Sequence, residues 1–158
     1  LGMIDLNIRA VVDLTSRILP LLEERGGAVI NVASTAAFQP TPYMATYGAT
    51  KAFLLHWSLA LHEDLRPLGI PVQALCPGPT ESRFFERAGF EEAPLSGLGQ
   101  TADEVVRASF RGLERQSPLV VSGWKNQLLA GAGSKLPKRW QAPIARYVLK
   151  RMRLDRMK

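Results

Sequence analysis

Apolar residues at Ile4, Ile8, Val11, Val12, Ile18, Leu19 and Leu22 recur close to the 3.6-residue period of one helix face. The pattern predicts a helix over residues 3 to 24, stopped by Gly26 and Gly27. The β-branched run at 28 to 33 then reads as a buried strand ending just before Ser34. Residues 35 to 46 are small, polar or Pro-containing and read as a loop. Helical spacing returns over 47 to 66 through Ala52, Leu55, Leu59 and Leu65, with Gly69 close behind. Residues 71 to 76 and 119 to 122 are predicted strands, and helices are expected over 101 to 116 and parts of 124 to 152. Strands that alternate with long helices imply a parallel sheet in an α/β fold, because parallel neighbours need crossover connections. Three strands are few for this class and leave an edge to cover.

Composition narrows the classes. The 158 residues are 46% hydrophobic and 22% charged, as in a globular domain. No stretch approaches the ~20 apolar residues of a membrane span, and no signal pattern opens the chain, so a cytoplasmic protein is expected. The single cysteine, Cys76, excludes an internal disulfide and reads as a small buried residue at a strand end. His56 and His62 are too far apart around a helix to share a metal, and no metal site is expected.

The net charge of +6 is concentrated at one end. Residues 135 to 158 carry nine Lys or Arg and one Asp, whereas the rest of the chain is slightly acidic. The division expected is a body over 1–134 and a basic amphipathic helix or tail over 135–158. Along the tail, Trp140, Ile144, Tyr147, Val148 and Met152 fall near helical spacing with Arg146, Lys150, Arg151 and Arg153 between them. That pattern fits a terminal helix packed on the body with snorkelling cations. It also fits an amphipathic helix on an anionic membrane and, less well, a nucleic-acid contact.

Candidate chemistry centres on Tyr47 and Lys51, four residues apart and so on one face at the start of a helix, with Ser34 at the end of the preceding strand. A phenol is a poor base at neutral pH, but a nearby ammonium favours the phenolate, so the pair suits proton exchange with an alcohol or carbonyl oxygen. A serine hydroxyl at a strand's C-terminal end is placed to hydrogen-bond the same oxygen.

In these residues the sequence resembles the short-chain dehydrogenase/reductase family, over residues 1 to about 125. Ser34 closes a strand as the family's serine does, Tyr47 to Lys51 matches its Y-x-x-x-K motif, and Asn7 matches its helix asparagine. Residues 75 to 81 resemble the segment after its sixth strand. The resemblance implies a Rossmann-like doubly wound parallel sheet, present as its C-terminal part. It implies NAD(P)-dependent hydride transfer between an alcohol and a ketone, with NADP or NAD as cofactor. Tyr47 would be the general acid/base, and Lys51 would bind the nicotinamide ribose and lower the tyrosine pKa. Ser34 would orient the substrate oxygen, and Asn7 would hold a water linking Lys51 to solvent. Pro77, Gly78, Thr80 and Ser82 would line the nicotinamide pocket, while Phe84 and Phe85, with Phe90, fall in the variable substrate loop.

The resemblance also implies a homodimer or homotetramer paired through the first two long helices. Trp57 and Leu61, lying off the Ala52, Leu55 and Leu59 stripe, suggest the same surface. The partners expected are a small alcohol or carbonyl substrate and further copies of the chain, with weak membrane-surface contact through the basic tail and no nucleic acid.

The family's Gly-rich phosphate turn would precede everything seen here, and the first predicted helix begins almost at residue 1 with no strand before it. Further chain is therefore expected upstream. The alternative is a cofactor-incompetent piece acting as an interaction module. Gly97, Gly99 and Ala102 fit G-x-G-x-x-A without a strand before them, and Gly131 and Gly133 lack the spacing of a P-loop; both read as chance matches.

Overall fold

The structure is a computed structural model that describes residues 1–81 and 99–154. Ser82, Phe84, Phe85 and Phe90 lie outside the described residues, as does Gly97.

The first helix, α1, is continuous but not uniform. Gly2–Ile4 is α-helical, Asp5–Arg9 is a π turn in which Ala10 N–H donates to Asp5 O, and Ala10–Arg25 is α-helical again. A π turn of this kind commonly marks a functional position, and Asn7 sits inside it. Hydrophobic periodicity does not reveal such a turn, which is why the sequence suggested an unbroken helix.

Strand β1 spans Val29–Val32, β2 spans Val72–Cys76 and β3 spans Leu119–Val121. They form one parallel sheet in the order β1-β2-β3, with Val29 opposite Val72 and Ala74 opposite Leu119. Helix α2 (Ala45–Leu65) connects β1 towards β2. After it comes a 3-10 turn over Arg66–Leu68, and Gly69 at φ 69° turns the chain in the left-handed conformation that glycine adopts without steric cost. Helix α3 spans Ala102–Glu114, α4 spans Trp124–Lys135 and α5 spans Lys138–Leu154. A capping box starts α3: Glu104 N donates to Thr101 Oγ1 at 3.3 Å, and Thr101 N donates to Glu104 Oε2 at 2.9 Å.

Helices α1 and α2 cover one face of the sheet. Val29, Leu65, Ile70 and Val72 form one buried cluster, against which Leu19 and Leu22 of α1 pack. Ala33, Leu54, Leu55, Ala74 and Cys76 form another beneath the strand ends, with Val11 and Trp57 against it. α2 buries a more polar face than the apolar stripe suggested, because Gly48, Thr50 and Ser58 lie under it. Ser58 is used by the strand: Asn31 Nδ2 donates to its Oγ at 2.9 Å, so the asparagine of β1 is buried without penalty. Trp57 and Leu61, expected at a free surface, instead pack against the two clusters. The large apolar side chains exposed on these helices include Leu14, Leu21 and Phe53.

Helix α3 covers the opposite face at β2. There Gln73, completely buried, donates through Nε2 to Ser109 O at 3.1 Å and accepts from Ser109 Oγ at 2.6 Å. This coverage does not extend to β1, whose Ile30 and Val32 face outward and are exposed.

Candidate active site

Because β1 and β2 run parallel and in register, their C-terminal ends lie side by side. The ladder continues past both strands: Ala33 N donates to Leu75 O at 2.7 Å and Thr35 N to Pro77 O at 2.9 Å. Ser34 is thereby held against the turn that contains Pro77 and Gly78. Its backbone is extended, and its Oγ accepts from Ala36 N at 3.1 Å, capping the 3-10 turn Thr35–Phe38. With one lone pair used by the backbone, the hydroxyl proton is free to be donated.

The first turns of α2 bring Tyr47 and Lys51 to the same place. The Ser34 hydroxyl hydrogen-bonds Tyr47, and Lys51 Nζ lies 5.8 Å from the centre of the Tyr47 ring. Lys51 Nζ also donates to Val32 O at 2.8 Å, tying the helix to the last residue of β1. Open α/β sheets receive ligands at this end.

Burial dominates the acid–base behaviour here. It raises the Tyr47 phenol above its ordinary value, and the Ser34 hydrogen bond opposes that rise. It also lowers the Lys51 ammonium. This differs from the expectation that Lys51 lowers the tyrosine: the opposing contact is with Ser34, and the ammonium is spent on the Val32 carbonyl. Cys76, with no exposed surface at the end of β2, is pushed up to about 11, mainly by burial.

Asn7 reaches the same turn from α1. Its Nδ2 donates to Thr50 Oγ1 at 3.1 Å, and that hydroxyl donates to Tyr47 O at 2.8 Å. Thr50, 1% exposed, is thus a supporting residue that the sequence reading passed over, although it lies inside the Y-x-x-x-K segment. Thr41 is another. Its Oγ1 donates to Met44 O at 3.0 Å just ahead of α2, and it fills the space where a Cβ on Gly48 would stand.

A third set of supporting residues lies behind the 77–80 turn. A Cβ on Gly78 would run into the Asn126 amide, whose Nδ2 donates to Ser122 O at 2.8 Å. Ser122 Oγ lies 2.7 Å from the Gln100 amide, and Thr80 Oγ1 donates to Gly78 O at 3.0 Å. No local motif announces the contacts of Ser122 with Gln100 and of Asn126 with Gly78, because those residues stand far apart in the chain.

The donors present suit the nicotinamide end of a dinucleotide. Tyr47 and Lys51 offer a hydroxyl and an amine for a ribose, and the turn at Pro77 and Gly78 offers backbone for a flat ring. The phosphate end is served less well. One helix follows a strand through a single glycine: β3 leads through Ser122 and Gly123 into α4. Gln100 lies beside that N-terminus and, with its amide oxygen turned towards Gly123, accepts from Gly123 N at 3.2 Å. Among the described residues no cluster of three or more His, Cys, Asp or Glu stands ready for a metal ion.

Residues 2–92 match the short chain dehydrogenase family. Hydroxysteroid dehydrogenase-like protein 1 of Gallus gallus is 32% identical over 156 residues, 97% of this chain and 46% of that protein. Serine 3-dehydrogenase of Rhizobium radiobacter is 44% identical over 109 residues, 65% of this chain and 44% of that protein. A short-chain dehydrogenase from Sphingobium yanoikuyae, solved in complex with NADPH, superposes with a TM-score of 0.69 at 32% identity, covering 93% of this chain and 54% of that one. The chain therefore spans about half the length of these relatives. The three parallel strands and their flanking helices are part of a Rossmann-like sheet. With more than half its residues matching the family and nearly all of them aligning to a relative at 32% identity, the chain belongs to the short chain dehydrogenase family.

Proposed function

We propose that this chain carries the proton-transfer site of an NAD(P)-dependent oxidoreductase that interconverts an alcohol and a ketone or aldehyde. The observation that carries the reading is the meeting of Ser34, Tyr47 and Lys51 at the C-terminal ends of β1 and β2. The NADPH bound by the Sphingobium relative supports the choice of cofactor. When bound, the nicotinamide supplies or accepts the hydride. Tyr47, Lys51, Pro77, Gly78 and Thr80 would hold its end of the dinucleotide, with Ser82 next in sequence.

In the reduction direction Tyr47 gives its proton to the substrate oxygen, and in oxidation it takes that proton back. Its raised pKa keeps it protonated, and therefore ready as an acid, at neutral pH. Ser34, its lone pair already engaged by Ala36 N–H, donates to the same oxygen as negative charge grows there. Lys51 holds positive charge beside the phenol. Asn7 steadies the turn through Thr50 and is the residue we assign to a water link between Lys51 and solvent. Phe84 and Phe85, which the family resemblance assigns to the substrate loop, would suit an apolar or bulky carbonyl compound. Pairing of copies across α1 and α2, where Leu14, Leu21 and Phe53 are exposed, belongs to the same reading.

Tyr47→Phe tests the assignment in a protein that joins this chain to an upstream dinucleotide-binding turn. Turnover should fall by about 10²- to 10⁴-fold while NAD(P)H affinity stays nearly unchanged, because the phenol acts in proton transfer. Turnover retained within a few-fold would put the acid/base elsewhere.

A further inference from the structure

Helix α5 presents three different surfaces. At about 100° per residue, Gln141 and Ala145 lie on one side, Trp140, Ile144 and Tyr147 on a second, and Arg139, Arg146 and Lys150 on a third beside the second. The burial pattern decides which side meets the body. Gln141 is buried, and its Nε2 donates to Gly133 O at 3.0 Å and to Leu136 O at 2.8 Å, satisfying carbonyls where α4 ends. Trp140, Ile144 and Tyr147 are 53%, 45% and 69% exposed. The helix thus meets the body through Gln141 and leaves Trp140, Ile144 and Tyr147 turned outward.

The charge beside that stripe is of one sign. α5 contains six Lys or Arg and no Asp or Glu, and residues 124 to 154 as a whole contain no carboxylate side chain. Arg139 lies over the Trp140 ring, 5.8 Å from its centre, so the cation borders the apolar stripe. Arg146, Tyr147 and Lys150, together with Ala142 and Pro143, also line an open cleft of about 490 Å³ whose other wall is Pro42, five residues before Tyr47. No described helix is long and apolar enough to cross a membrane.

We infer that α5 is a docking surface for an anionic lipid bilayer, lying in the headgroup plane with Trp140, Ile144 and Tyr147 inserted and Arg139, Arg146 and Lys150 on lipid phosphates and carboxylates. Charge complementarity selects this occupant. A second copy would set two carboxylate-free cationic helices side by side, and a nucleic acid would leave the aromatic stripe in water. The bilayer satisfies both surfaces at once and would lie next to the loop that leads into Tyr47.

The test is flotation of the full 158-residue chain with vesicles of phosphatidylcholine alone and of phosphatidylcholine with phosphatidylserine, read together with tryptophan emission. The chain should float with the anionic vesicles, stay behind with the neutral ones, and be released as salt rises. Arg146→Glu with Lys150→Glu should lower anionic-vesicle partition by at least about tenfold, from roughly fivefold per surface cation removed. The emission should shift to the blue on binding, and Trp140→Phe should abolish most of that shift. Equal binding to both vesicle types, or none to the anionic ones at low salt, overturns the inference. So does binding to duplex DNA that is tighter than to the vesicles and leaves the Trp140 emission unmoved.

Discussion

At Tyr47 and Cys76 the same force, exclusion of water, acts on two neutral acids with different consequences. For Tyr47 the rise keeps a proton where chemistry needs one, and Ser34 moderates it. For Cys76 the rise has no catalytic use in this reading, and its effect is on stability. The thiol moves from an ordinary value of 9.0 to about 11 on folding. Below pH 9 both folded and unfolded chains keep the proton. As pH rises above 9 the unfolded chain loses it first, so the native state holds more protons and stability falls until the folded pKa is passed. Two pKa units correspond to about 2–3 kcal/mol lost between pH 9 and 11. In Cys76→Ala that pH-dependent loss should largely disappear, since Ala titrates nothing, although the smaller side chain lowers stability at every pH. Urea unfolding of both chains across this range measures the difference. Parallel pH curves for the two would mean that the thiol titrates as it does in water.

The start of α2 shows how an element is held in place by residues outside it. Gly48 follows Tyr47 directly, and a methyl there would collide with the Thr41 side chain, which itself holds Met44 O. Gly48→Ala should therefore cost about 1–3 kcal/mol through overpacking and shift Tyr47 relative to Ser34. Thr41→Ala in the same chain removes the colliding atoms and should return part of that loss. Thermal unfolding of the single and double variants gives the coupling, and strictly additive losses would show that the collision is relieved some other way.

This region also shows what sequence can and cannot reveal. Spacing puts Tyr47 and Lys51 on one helix face and Ser34 follows directly on a strand, so their meeting was legible from the residues, whereas Asn7 was singled out only by the resemblance to the family. The strands and helix existence were legible from spacing as well. The π turn at Asp5–Arg9 was not, because a single wider turn leaves the hydrophobic period almost unchanged. The supports at Thr41, Thr50, Gln100, Ser122 and Asn126 were invisible too: a contact across the fold has no local signature, and these polar side chains read as ordinary loop or helix residues. The outward stripe of α5 was ambiguous for a related reason. Periodicity shows that a helix has an apolar side, but not whether that side meets protein.

For the molecule as a whole, the described sheet is well supported on one face and has β1 and β3 as its two edges. Between α1, α2 and β1 every buried strand side chain finds apolar or hydrogen-bonded neighbours, yet on the far face Ile30 and Val32 are 37% and 53% exposed and β1 pairs on one side only. An unpaired apolar edge of this kind invites another strand or another chain. The dinucleotide is served unevenly in the same sense. Its nicotinamide end would meet Tyr47, Lys51 and the turn at Pro77 and Gly78, but pyrophosphate is normally held by backbone N–H groups at a helix N-terminus after a Gly-rich turn. Among the described residues the one helix that follows a strand through a glycine has Gln100 seated against Gly123 N at its start. Residues 1–158 by themselves should therefore bind NADH or NADPH no more tightly than about millimolar, which is the range of weak, partial contacts. They should also turn over no alcohol or ketone measurably. Calorimetric titration of each dinucleotide into the folded chain, with absorbance at the nicotinamide band as an assay, decides between the two states of affairs. Heat fitting a micromolar site would mean that Gln100 moves aside or that residues outside the described set complete a phosphate site. Repeating the titration with Gln100→Ala would then separate those two routes, since only the first would strengthen when that side chain is removed.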